Sequence, residues 1–153
     1  MESTSYATIP ASVRSDLVGY WGLDDDNSVS ALDFDGTGDV VAMTTSSAVS
    51  PTEAITVSAW VNFTSFEDYD LVVGNTDSGN NGWRLAMDNA DNIFLSINSW
   101  GANQAKTPMS STEKWHHLVG TYDKSNIKLY LDGVLKDTDA YTDSITYSSN
   151  VFQ

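Results

Sequence analysis

The chain has 153 residues, 41% of them hydrophobic and five of them Trp, which suffices for one domain with a packed core and not for two. Seven Lys and Arg stand against twenty-one Asp and Glu, a formal charge of −14, and a field of that sign excludes nucleic acid as a partner. Cys is absent, which excludes disulfides and thiolate metal sites, and no apolar run approaches the ~20 residues that span a bilayer, so no membrane insertion is expected.

Residues 1–15 are polar and aperiodic and read as an N-terminal tail or linker ahead of a domain over 16–153. The opening Met1–Asp16 lacks a basic stretch followed by an apolar one, so it does not read as a signal peptide. From Leu17 onward short apolar runs recur between turn residues, at the roughly 8–12-residue rhythm of a sandwich or barrel. The pattern predicts strands at Val18–Leu23, Ala31–Phe34, Val40–Met43, Ile55–Phe63 and Asp70–Gly74. It predicts further strands at Trp83–Asp88, Ile93–Asn98, His116–Tyr122, Ile127–Leu131 and Val134–Asp137.

Period-two alternation assigns faces. Ile55, Val57, Ala59, Val61 and Phe63 point inward, with Thr56, Ser58, Trp60 and Asn62 opposite. Trp83, Leu85 and Met87 oppose Arg84, Ala86 and Asp88, and Ile93, Leu95 and Ile97 oppose Phe94, Ser96 and Asn98. Between Leu131 and Val134, Asp132-Gly133 calls for a type I′ hairpin, since both central residues need positive φ. No helix of useful length is indicated. The fold class is all-β, an antiparallel β-sandwich.

Four segments in this order carry a resemblance: Leu17-Val18-Gly19-Tyr20-Trp21 with Ala31–Val41; Ile55–Val61; Trp115–Asp123; and Ile127–Val134. Together they resemble a laminin-G-like domain of the concanavalin A-like lectin/glucanase superfamily over roughly 17–137. The resemblance implies a jelly roll of two curved sheets that binds glycans or proteins, often with calcium at the sandwich edge. It also implies closing strands beyond Val151-Phe152-Gln153. Their absence predicts an open sheet edge, covered by the tail, by a homo-oligomer or by a partner chain.

Asp24, Asp25 and Asp26, with Asp35 and Asp39 nearby, supply the oxygens a calcium ion takes; a solvated acidic turn explains the same residues and is the reading favoured. For sugar binding the candidates are Trp60, Arg84, Asn98, Trp100 and Asn103: flat rings to stack on pyranose faces, with amide and guanidinium groups for the hydroxyls. Trp21 and Trp115 are assigned to packing. His116 and His117 are adjacent in a strand, point to opposite faces and cannot chelate one ion together, so a structural role is expected. Catalysis is not expected. Retaining glycosidases need two carboxylates about 5 Å apart, whereas Glu2, Glu53, Glu67 and Glu113 all fall in loops or the tail, none alternating with another.

The sequence therefore points to a non-catalytic binding or adhesion module that recognises carbohydrate on a cell surface or matrix. The alternative is a structural virion or surface-array protein, a decoration, fibre or tail domain whose jelly roll mediates assembly. Both place it outside the cell, on a cell surface or on a virion.

Overall fold

The computed structural model describes residue 41 and residues 49–65, 70–76, 80–147 and 151–152, all within the unit Val41–Gln153. The strands expected before residue 49 and the tail boundary at 15–16 lie outside the described residues. Among the described residues there are nine strands: β1 Ile55–Val61, β2 Leu71–Thr76, β3 Gly82–Met87, β4 Asn92–Ile97, β5 Gln104–Pro108, β6 His116–Tyr122, β7 Asn126–Leu131, β8 Val134–Ala140 and β9 Val151–Phe152. They form two antiparallel sheets, β1-β6-β7-β8 and β5-β4-β3-β2-β9. The concanavalin A-like β-sandwich read from the sequence is the fold.

The inward faces meet in one core. Val57, Leu118, Tyr122, Ile127 and Leu129 of the four-stranded sheet pack with Trp83, Leu85, Met87, Ile93, Leu95, Ile97 and Ala105 of the other. Burial of these large side chains, at about 25 cal/mol per Å² of apolar surface, is the main force holding the sheets together. β1 and β6 keep strict alternation, with Trp60 opposite His117 and Ser58 opposite Val119 on the outward side. Asp132 and Gly133 have φ of 52° and 78°, the two positive values that the hairpin required.

Two sequence expectations change. Alternation predicts an open second face on β3 and β4, yet β3 is buried throughout, with Arg84, Ala86, Phe94 and Ser96 all at 1% exposure or less. The loop after β4 folds back over that face: Trp100 lies on the Arg84 guanidinium at 4.2 Å and meets Phe94 edge-on, and Ser96 Oγ donates to the Ser99 carbonyl. Trp115, assigned to packing, is instead 61% exposed, because the inward position at this end of β6 is taken by His116.

β5 had no apolar pattern to announce it. As an edge strand it needs only Ala105 in the core, and its outer edge is satisfied by side chains: Asp139 accepts from Gln104 N at 3.1 Å and Asp137 from Lys106 N at 2.9 Å. Carboxylates of β8 thereby close one seam of the sandwich and leave no bare ladder there. At the opposite seam a cavity of about 450 Å³ lies between β1 and β2, lined by Val49, Pro51, Ile55, Val57, Val72 and Trp83 among others. On the far side of β2, β9 pairs at Asn75 and Thr76.

Candidate functional site

The outward face of the four-stranded sheet carries the first group. Trp60 is 65% exposed and stacks on the His117 ring, with centroids 5.0 Å apart and planes 26° from parallel. Antiparallel register places the two residues opposite each other, and His117 Nε2 hydrogen-bonds Ser58 Oγ at 2.9 Å, so the ring beneath Trp60 is fixed. The next cross-strand rung runs Ser58, Val119, Tyr130, Leu135. Among the described residues six large hydrophobics are exposed. Three of them, Trp60, Trp115 and Leu135, are outward by alternation at the end of this sheet where Val61 pairs His116 and Leu131 pairs Val134, and Val134 lies next to Leu135 in the rung of Leu118 and Leu131. A patch of that kind marks a contact surface more often than chance.

The second group is built on β3, β4 and the loop after β4. Trp100 is 40% exposed, with Arg84 under one face of its ring. Arg84 also donates to Thr76 Oγ1. Asn98, at φ 51°, is spent on holding the domain together: Nδ2 donates to Tyr141 Oη and the Ser144 carbonyl, while Oδ1 accepts from Gly82 N, Thr146 N and Thr146 Oγ1. Asn103, at φ 49°, accepts at its carbonyl from Ile97 N and shapes the same loop. Arg84, Asn98, Trp100 and Asn103 thus share one neighbourhood, and Trp60 stands on the other sheet's outward face. The five candidates form two groups.

One arrangement escaped sequence reasoning. Ser111 Oγ lies 2.7 Å from His116 Nε2, and His116 Nδ1 lies 2.8 Å from Asp132 Oδ2. The order Ser–His–Asp is that of a nucleophilic triad. The surroundings make it a latch. Asp132 Oδ1 accepts from His117 N at 3.0 Å and Asp132 N donates to the His117 carbonyl, so the carboxylate ties the β7–β8 hairpin to β6. These bonds, the His117 amide first and the His116 side chain next, hold the Asp132 carboxyl below the usual carboxylate range. His116 is 6% exposed, and Ser111, five positions earlier in the β5–β6 loop, is joined to it by no recognisable motif; the Trp115-His116-His117 and Asp132-Gly133 segments are the sequence signals nearest to it.

Glu53 is bound to Lys124 and Ser144, Glu113 sits in the β5–β6 loop at φ 56°, and Glu2 and Glu67 lie outside the described residues. Asp24, Asp25, Asp26, Asp35 and Asp39 also lie outside them, and no cluster of three or more His, Asp or Glu fit to hold a metal occurs among the described residues. No helix among them is long and apolar enough to cross a membrane.

The two-sheet antiparallel sandwich defines the class of fold, a concanavalin A-like β-sandwich. The family model Laminin_G_3, described as the concanavalin A-like lectin/glucanases superfamily, matches residues 35–153. The chain belongs to this family, whose laminin G-like members are typically non-catalytic binding modules that act outside the cell. Among solved structures, domains LG4-5 of the mouse laminin alpha1 chain superpose with a TM-score of 0.53 at 15% identity, covering 66% of this chain and 28% of that one. This chain therefore spans under a third of that structure's length, and the likeness is one of fold. No curated protein matches in sequence.

Proposed function

We propose that this domain is a non-catalytic recognition module that binds carbohydrate on a surface outside the cell. The observation that carries the reading is the Trp60 ring, 65% exposed and braced by His117, since a flat ring held in one orientation stacks on a pyranose face with little entropy left to lose. Family membership supports binding over catalysis, and the Ser111–His116–Asp132 group supports it too, because its carboxylate is engaged in holding a hairpin. A glycan array probed with the fluorescently labelled chain tests the reading: specific spots that Trp60→Ala removes support it, and an array without signal at millimolar avidity-enhanced loading sinks it.

A second reading, assembly into a virion or surface array, is favoured by the apolar cavity between β1 and β2, which suits an inserted apolar strand. Sedimentation decides it: a symmetric oligomer that Val72→Asp dissociates would support assembly, and a monomer at all concentrations would oppose it.

A further inference from the structure

We infer that the ligand of the Trp60 face is an uncharged carbohydrate, laid as an oligosaccharide across β1, β6, β7 and β8, and not a sulfated or uronate-rich chain. The inference rests on the carbohydrate reading above and adds the chemical class and the footprint.

The footprint follows from register. Trp60 and His117 form one rung of the outward face, and Val119, Tyr130 and Leu135 belong to the adjacent rung that reaches β8. Three interstrand spacings of about 4.8 Å give a track of roughly 14 Å, longer than a single sugar ring. Trp60 and Leu135, 65% and 49% exposed, mark its two ends.

The class follows from charge. Anionic glycans are held by Arg and Lys forks that match sulfate and carboxylate geometry. Of the basic groups among the described residues, Lys106 pairs with Asp88, Lys124 pairs with Glu53 and Arg84 is buried under Trp100; Lys114 lies near Asp132, and Lys128 on β7 stands in the Thr121–Thr138 rung, one outward rung further from Trp60 than Tyr130, with Lys136 beside it on β8. The charged group beside the Trp60–His117 rung is the Asp132 carboxylate, whose side chain is 46% exposed. Its spare lone pairs accept sugar hydroxyls, while they and the overall −14 repel a sulfate or carboxylate. Ring stacking plus carboxylate acceptance is the chemistry of a neutral polyol.

The test is calorimetric titration of the intact chain with cellohexaose, chitohexaose, mannohexaose and a heparin hexasaccharide, each at low and high salt. The expected result is binding of at least one uncharged hexamer, unaffected by salt, and no heparin binding. Trp60→Ala weakens the uncharged hexamer about tenfold, Leu135→Ser weakens it less, and Trp100→Ala leaves it unchanged. Trp60 and Leu135 are exposed, so both variants keep their fold, checked by circular dichroism. Heparin binding that salt abolishes would overturn the class and leave the carbohydrate reading standing. Uncharged binding lost on Trp100→Ala and kept on Trp60→Ala would overturn the footprint. No binding by either kind of sugar would overturn both readings together.

Discussion

Gly120 on β6 lies directly against Leu95 on β4: a Cβ at Gly120 would stand 2.9 Å from Leu95 Cδ2 and 3.1 Å from its Cβ. The missing side chain lets Leu95, fully buried, fill the space from the other sheet. Because the contact includes the Leu95 Cβ, rotation of the Leu95 tip does not relieve it. Gly120→Ala is expected to cost about 1–3 kcal/mol in urea unfolding, as overpacked cores do. The pair Gly120→Ala with Leu95→Ala should recover part of the loss, and strict additivity would show that the two residues do not share this contact.

The His116–Asp132 latch predicts that His116→Ala destabilises by about 1–3 kcal/mol, since it leaves the partly buried Ser111 hydroxyl and one Asp132 oxygen without their partner. The same reading predicts that a fluorophosphonate does not label Ser111 in the native chain. Stoichiometric labelling, lost in His116→Ala, would turn the latch into a catalytic group and contradict a purely binding role.

Stability should fall at both ends of the pH scale, for separate reasons. Asp132 is held below its ordinary range by the His117 amide and then by His116, and Asp123 by the Asn126 and then the Ser125 amide. Groups so depressed add stability above the unfolded-state pKa of about 3.9 and lose it as pH drops through their folded values, so acid unfolding begins below about pH 4. At the alkaline end, burial first and then the neighbouring Tyr141 push Tyr122 up to about 12. Its contribution is complete below about pH 10 and is lost as pH rises towards 12. Thermal melts across pH check both limbs. Tyr122→Phe should flatten the alkaline one.

Sugar binding by ring stacking does not pass through a metal, so adding EDTA is expected to leave the affinity for an uncharged hexamer unchanged. Calcium acts, on this account, only through the acidic stretch Asp24–Asp26 with Asp35 and Asp39, and a melt with and without calcium reads that stretch separately. Loss of sugar binding on EDTA would place the acidic stretch in the binding site.

The core was legible from alternation because Ile55–Val61 and His116–Tyr122 have one wet face, and period two survives only where that is so. It failed on β3 and β4, where a loop covers the second face: Arg84 and Ser96 look like surface residues and are buried under Trp100 and against Ser99. β5 was silent because an edge strand capped by Asp137 and Asp139 needs only one apolar residue. At the site, Trp60 was identifiable as outward-facing from its register in β1. Its pairing with His117 and the bonding of Asn98 to Tyr141, Ser144 and Thr146 depend on contacts between residues 43 or more positions apart, and the exposure of Trp115 depends on where β6 begins.

The indole Nε1–H resonances offer the most direct measurement, because the chain has five Trp and each reports its own place. In a proton–nitrogen correlation spectrum titrated with the uncharged hexamer that binds best, Trp60 should shift most, Trp115 should follow, and Trp83 and Trp100 should stay. A titration that moves Trp100 and leaves Trp60 in place would contradict the account, and would move the binding site to the other sheet.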